Sequence, residues 1–264
     1  MTDSSEKLLV TLEDGIKRIT INRPERRNSV DHETIRLLRD AIRHSETDYT
    51  RVIILTGAGE SFCAGADLAA TSASDIANYD VTQAIRENVN PTIMAMRQLP
   101  VPIIARVHGH AVGVGHNYAL ACDMIIASEQ ALFGQVFVKV GLMPDGGSTF
   151  LLHRLVGYQK AFELMAMGEI IGAEEALRLG LVNRVVPFAE LDATVDGIAA
   201  RLASAPQIAL SKIKAALNHS AHSDLASALE FEAVNQDACF HSQDFMEGVA
   251  AFIQKRKAVF GGKA

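Results

Sequence analysis

The sequence predicts an α/β fold of repeated ββα units around one hydrophobic core, followed by a helical C-terminal region. Three observations carry this. Apolar, strand-like runs that empty into small-residue loops and then into helix-like segments recur over Val52–Leu68, Ile103–Cys122 and Met124–Val156. Beyond Pro187 only helical patterning remains, over Leu191–Leu202, Gln207–Asn218, Leu225–Asp237 and Asp244–Val259, with Pro206 as a breaker. The 264 residues are 48% hydrophobic and 21% charged, enough to bury a large core. The expected organisation is a core over residues 1–200 and a helical region over 201–264.

From the N-terminus, Leu8–Leu12 and Ile16–Ile21 alternate apolar and polar residues about Glu13-Asp14-Gly15, a hairpin signal. Asn22–Val30 is a charged loop with Arg23, Arg26 and Arg27. Ile35, Leu38 and Ile42 then recur at helical spacing behind Asp31, the expected N-cap. Val52–Leu55 has the β-branched composition of a buried strand, and in the loop that follows, Ala64, Gly65 and Ala66 leave the backbone uncovered. An N–H there can approach a ligand, although the same residues also read as a plain glycine turn.

Ile103–Val107 is the next strand, leading through a glycine turn at Gly109, Gly113 and Gly115 into a helix over His116–Cys122. Unpaired N–H groups and a partial positive charge at that helix start suit a developing negative oxygen. Met124–Ser128 returns as a strand, and Leu142–Gly147 sets Asp145 in a Pro/Gly turn before another helix. On local sequence alone, Asp145 reads equally as the N-cap of that helix and as a working acid.

Charge and cysteine usage narrow the function classes. A net charge of −6 and a pI near 5.8 provide no basic face for nucleic acid. Cys63, Cys122 and Cys239 form no CxxC pair, which suits a reducing compartment without a disulfide frame or zinc site. His108 and His110 flank Gly109 with no third ligand at metal-binding spacing, so no metal is expected. The N-terminal residues have no basic-then-apolar signal and no apolar run approaches the roughly 20 residues of a membrane span, so a cytoplasmic location without a membrane partner is expected.

The segments Ile53–Leu68 (IILTGAGESFCAGADL), Val107–Asp123 (VHGHAVGVGHNYALACD), Phe133–Gly147 (FGQVFVKVGLMPDGG) and Glu247–Lys257 (EGVAAFIQKRK) resemble the crotonase, or enoyl-CoA hydratase/isomerase, superfamily. The resemblance runs in order over essentially Leu8–Phe260. It implies a crotonase-like spiral of ββα units with a C-terminal helical trimerisation region, in a homotrimer or dimer of trimers. It also implies an acyl-CoA thioester substrate, with no cofactor beyond the CoA that is part of the substrate. The thioester oxygen would be held by the backbone N–H groups of Ala66 and Val114, the latter standing where the family usually has glycine. CoA itself would meet Arg27, the backbone of Ala64, Ala66, Asp67 and Leu68, and Phe252 and Lys255 of the last helix, reaching an adjoining subunit.

The two glutamates by which hydratases of this superfamily activate water fall on Asn117 and Phe137, and neither side chain can exchange the proton. Asp145 matches the aspartate that some isomerases carry in the same Pro-Asp turn, and its surroundings most resemble the ring-epoxyphenylacetyl-CoA isomerase branch. The function so implied is an isomerase that shifts a double bond, or opens an epoxide ring, through a thioester enolate, with Asp145 as proton shuttle. Three alternatives stay open: a hydratase with a non-standard acid and base, a hydrolase or dehalogenase using Asp145 as nucleophile, and a catalytically silent acyl-CoA-binding protein. His116 reads as structural or as a hydrogen-bond partner of a substrate group, Asp123 as structural, Asp67 as ordering its loop, and Ala69–Arg97 as the wall of the acyl pocket.

Overall fold

The computed structural model describes residues 6–68 and 79–261; residues 69–78, the first part of the expected acyl-pocket wall, lie outside it. The strands are β1 Leu8–Glu13, β2 Ile16–Ile21, β3 Val52–Gly57, β4 Ile103–Val107, β5 His110–Val112, β6 Met124–Ser128, β7 Leu132–Gly134, β8 Ile170–Gly172 and β9 Arg184–Val186. The helices are α1 His32–His44, α2 Val81–Ala84, α3 Asn90–Gln98, α4 Val114–Ala121, α5 Ser148–Val156, α6 Tyr158–Met167, α7 Ala173–Arg178, α8 Phe188–Ala203, α9 Gln207–Ser220, α10 Leu225–Phe240 and α11 Gln243–Gln254.

The hairpin forms as its turn chemistry dictates. Leu8 pairs with Ile21 and Glu13 with Ile16, and the two-residue loop Asp14-Gly15 has φ of 50° and 77°, the positive pair that matches strand twist. Asp31 caps α1, its carboxylate accepting from Thr34 N at 2.9 Å, and Ile35, Leu38 and Ile42 face inward.

From β3 onward the chain winds as a spiral. Each turn lays one strand into a six-stranded sheet ordered β1-β2-β3-β4-β6-β9, in which every pair except β1 and β2 is parallel. Each turn then crosses to a second sheet, where β5 pairs parallel with β7 and β8 lies antiparallel to β7. Among the described residues the first turn contributes only Cys63 there, bridged to Ala111 of β5. Winding repeatedly in one sense is what makes the strands parallel and stacks the loops between sheets at one side.

β3 and β4 are buried on both faces, as their unbroken apolar runs require. Ile53, Leu55, Ile103 and Ala105 face the main core with Phe62, Tyr118 and Phe133. Val52, Ile54, Ile104 and Ile126 face the other way and are covered by α8 through Leu191, Val195, Ala199 and Ala203, one residue every four along a single helical face. Each such buried aliphatic side chain contributes roughly 1.5–3 kcal/mol over exposure.

Two expected elements differ. The stretch read as one glycine turn before a helix at His116 instead contains β5, and α4 begins two residues earlier, at Val114. Gly109 and Gly113, with φ of 53° and 55°, turn the chain at both ends of β5, so three residues are freed to pair with β7. The last helix stops at Gln254 because Lys255 turns left-handed, with φ of 52°, and Arg256 N closes back on Ala251 O.

The C-terminal helices bury little of themselves. Among their described residues α9 buries only Lys214, which donates to Asp123 Oδ2 at 2.7 Å and to the Val101 carbonyl at 3.1 Å, tying the helix to the core. Helix α10 buries no residue, and Leu225, Leu229 and Val234 stand more than half exposed.

Candidate active site

The loop after β3 is pinned from below by its own side chains. Val30 N donates to Gly65 O at 2.8 Å and Asp67 N to Val30 O at 3.0 Å. In such a parallel bridge the residue between the two bonded positions turns its own N–H outward, so the Ala66 N–H faces away from Val30. Below it, Asp67 forms an ion pair with Arg23 at 2.7 Å, and Arg23 also donates to the Ser29 carbonyl. Asn28, fully buried at φ 58°, donates to the carbonyls of Ala58 and Ser61 at 2.8 and 2.6 Å and accepts from Arg23 N at 2.9 Å. Asp67 thus orders the loop through Arg23 and leaves the outer surface to the backbone.

The second donor comes from α4. Its N-cap, Gly113, makes no side-chain cap, and the N–H of Val114 in the first turn has no acceptor within the helix. The two loops touch: a Cβ on Gly65 would lie 3.1 Å from the Val112 carbonyl and 3.8 Å from Val114 N. Only glycine, here at φ 100°, permits that approach. The Phe137 ring closes the corner, with its edge 4.0 Å from where a Gly113 Cβ would stand. The valine at 114 is accommodated because its side chain is 5% exposed and part of the core.

The acid lies one helical turn further. Asn117, three residues after Val114 and on the same face of α4, donates through Nδ2 to the Asp145 carbonyl at 2.9 Å. Asp145 is not the N-cap of α5: Gly147 holds that position, and Ser148 N bonds the Asp145 backbone carbonyl. Asp145 Oδ1 is buried and accepts no hydrogen bond from the described residues. Burial pushes the carboxyl above its ordinary value, opposed only by its own backbone N–H. The two glycines that follow Asp145 pack between Asn117 and apolar side chains: a Cβ at Gly146 would stand 2.8 Å from Asn117 Nδ2 and 3.4 Å from Val89 Cγ1, and one at Gly147 3.6 Å from Ile93 Cγ2. Val89 ends a π-helical turn, Ile85–Val89, between α2 and α3.

Ala66 and Leu68 are exposed beside the donor corner, Ala64 is half-buried, and Arg27 is exposed with its carbonyl accepting from Ala64 N at 2.9 Å. Phe252 and Lys255 are not brought to these loops by their own chain. Phe252 is 86% exposed and borders a separate apolar cavity of about 360 Å³ with Pro206, Cys239, Phe245 and Phe260, and Lys255 follows it at the end of α11.

Other titratable groups serve the fold. His116 is buried, which pushes its imidazole down to about 4. Asp123 accepts from Ile103 N at 2.8 Å and pairs with Lys214. His108 lies between Arg106 and the Gly59 carbonyl, and burial lowers its pKa. No cluster with metal-binding composition occurs among the described residues, and no helix there is long and apolar enough to cross a membrane.

Sequence reasoning missed three residues. Asn28 had a signal, since asparagine tolerates the left-handed backbone it adopts. Gln135, which donates to Asn117 Oδ1 at 2.9 Å, had none. Tyr118 also had none; its hydroxyl is buried without a partner, and burial, with the nearby charges of Cys63 and Asp145, raises its phenol well above the usual value.

Known proteins with this arrangement are plentiful. The enoyl-CoA hydratase/isomerase family model matches residues 11–263. A probable enoyl-CoA hydratase of Rhodobacter capsulatus is 37% identical over 252 residues, covering 96% of each chain. The 1,2-epoxyphenylacetyl-CoA isomerase of Escherichia coli is 37% identical over 260 residues, covering 98% of this chain and 99% of its own. A crystal structure of an enoyl-CoA hydratase subunit from Geobacillus kaustophilus superposes with a TM-score of 0.91 at 34% identity, over 99% of this chain and 100% of its own. Hydratase names outnumber isomerase names among such relatives. With its spiral of ββα turns and C-terminal helices, the chain belongs to the enoyl-CoA hydratase/isomerase family, the crotonase superfamily.

Proposed function

We propose that the protein is an acyl-CoA isomerase in which Asp145 carries a proton between two carbons of a thioester. The observation that carries this reading is the Asp145 carboxylate itself, with one oxygen buried and unpartnered among the described residues and a pKa raised by burial. A carboxylate so placed is a stronger base once ionised and nearer the operating pH.

On a 3-enoyl-CoA, Asp145 takes the proton from C2; the C–H electrons move into a dienolate whose oxygen is held by the Ala66 and Val114 N–H groups. Asp145 then returns the proton to C4, leaving the double bond between C2 and C3. Proton and electrons balance with no metal, redox cofactor or water. Each backbone donor aimed at such an oxygen supplies about 2.7–4 kcal/mol where it has been removed elsewhere. Opening of an epoxide ring through the same enolate is the related possibility that the E. coli relative's name suggests.

The acyl-CoA would lie along Arg27 and the backbone of Ala64, Ala66, Asp67 and Leu68, with Phe252 and Lys255 supplied by an adjoining subunit of a homotrimer or dimer of trimers. Exposure of Phe252 and of the apolar residues of α10 supports such an assembly. Two buried cysteines of three, none in a disulfide, suit a cytoplasmic setting.

Hydration is the second reading, favoured by the names of several relatives. Against it stand Asn117, whose amide is committed to Asp145 and Gln135, and Phe137, whose ring has no proton to exchange. The deciding experiment follows double-bond migration and solvent-proton exchange on a 3-enoyl-CoA in deuterated water, with hydration of a 2-enoyl-CoA measured in parallel. Migration lost in Asp145→Asn, with negligible hydration by either protein, is the expected result. Hydration that persists in Asp145→Asn would overturn it.

A further inference from the structure

Asn117 is fully buried and both ends of its amide are engaged. Nδ2 donates to the Asp145 carbonyl at 2.9 Å, and Oδ1 accepts from Gln135 Nε2 at 2.9 Å. A carbonyl oxygen only accepts, so the amide must face Asp145 through its nitrogen, and Gln135, donating to the oxygen end, holds it in that orientation. Gln135 is 1% exposed, and the same nitrogen lies 3.3 Å from His116 Nδ1.

The Asp145 carbonyl also accepts from Ser148 Oγ at 2.9 Å and Ser148 N at 3.2 Å. Three donors therefore grip the peptide that follows Asp145, while the buried carboxylate oxygen receives none. The next two residues offer little stiffness, being Gly146 and Gly147 at φ of 54° and 78°. Asn117 presses directly on this turn, since a Cβ at Gly146 would stand 2.8 Å from its Nδ2.

We propose that Asn117 is a positioning residue for Asp145, and that Gln135 locks the Asn117 amide in the orientation this requires. The inference rests on the reading of Asp145 as proton carrier. Asn117 does by way of the backbone what a direct bond to the carboxylate would spoil. It fixes the direction of the Asp145 side chain without donating to the oxygen that must take the proton. A carboxylate serving two carbons in succession has to be held in place, and a 1 Å displacement costs about 10²-fold in rate.

The test compares wild type with Asn117→Leu, Asn117→Asp and Gln135→Leu in the 3-enoyl-CoA migration assay across pH, alongside a ¹³C titration of the Asp145 carboxyl. Asn117→Leu keeps the shape and loses the donor. Its kcat should fall by about 10- to 100-fold with KM changed less than about threefold, and the Asp145 titration should move down toward the ordinary carboxylate value. Gln135→Leu should lose less, and the double variant no more than Asn117→Leu alone.

If Asn117→Leu does not fold, Asn117→Asp carries the test. Its new carboxyl donates to the Asp145 carbonyl only while protonated, so kcat should fall as that carboxyl ionises and the optimum move to lower pH, opposite to the upward shift that like-charge repulsion on Asp145 alone would cause. Unchanged kcat and unchanged Asp145 titration in these variants, while Asp145→Asn is inactive, would overturn the positioning role and leave the isomerase reading intact. Absence of migration in the wild type would overturn both.

Discussion

Two loops meet at the start of α4, each rich in small residues and each with one aspartate, and they spend their hydrogen bonds in opposite ways. In the loop of residues 64–68 the side chain is satisfied and one backbone donor is turned outward: Asp67 pairs with Arg23, the N–H groups of Ala64, Asp67 and Leu68 are bonded, and the Ala66 N–H faces away from Val30. In the turn of residues 142–148 the backbone is satisfied and the side chain is left free: Asn117 and Ser148 take the Asp145 carbonyl, and Oδ1 has no partner. The first arrangement suits the proposed oxyanion donor. The second suits the proposed base. Residue type does not distinguish them; the placement of donors does.

The sharpest way to break the contrast is to remove the free carboxylate. Asp145→Asn should lower kcat for double-bond migration by about 10²- to 10⁴-fold, read by single-turnover assay. It should also make the protein more stable at neutral pH. Burial raises the Asp145 pKa in the folded state, so the folded protein holds that proton more tightly than the unfolded chain does. The favourable contribution is complete below the unfolded pKa and is lost as pH rises through the folded one, where a bare carboxylate must be buried. Melting curves of Asp145→Asn and wild type should therefore converge in acid and separate as pH rises, the variant melting higher.

Next in size is the free backbone. Val114 is the first residue of α4, where proline is tolerated because its missing N–H has no helical acceptor. Val114→Pro should then cost about 10²- to 10³-fold in kcat while circular dichroism stays that of the wild type. An unchanged rate would mean the oxygen is not held there.

The satisfied side of the contrast predicts losses in stability before losses in rate. Asp67→Asn removes the nearer of the two carboxylates beside Arg23, leaving Asp31 at 3.6 Å, for a loss of about 1.5–3 kcal/mol, measurable by urea denaturation. The smallest effect belongs to Ser148→Ala, which removes one of three donors to the Asp145 carbonyl and should cost about 1 kcal/mol in the same measurement.

Much of this architecture was legible in the chain itself. Asp14-Gly15 specified the hairpin, Asp31 the start of α1, and the β-branched runs the buried strands of the main sheet. The second sheet was not legible, because strands of three residues such as β5 and β7 are too short to display alternation and are held by their neighbours. At the site, the small residues of the 64–66 loop and the glycines before α4 announced open backbone. Whether Asp145 capped a helix or stood free was undecided locally, since both uses follow a Pro-Asp-Gly-Gly turn; in the fold Gly147 takes the N-cap, and Asn117, 28 residues away in sequence, holds the Asp145 carbonyl. Gln135 carried no signal because its meaning comes entirely from what it faces.

The cover that α8 lays over the sheet also has a consequence for biosynthesis. Val52, Ile54, Ile104 and Ile126 form the far face of the sheet, and the residues that shield them, Leu191 to Ala203, are made later. At synthesis rates of about 5–20 residues per second, that face has no native partner for roughly 3–15 s after Ile126 leaves the peptidyl-transfer centre. A nascent chain stalled in this window presents the surface that holdase chaperones bind, and a stop codon placed before Phe188 should yield insoluble protein even though every residue of the donor corner and the acid has already been translated.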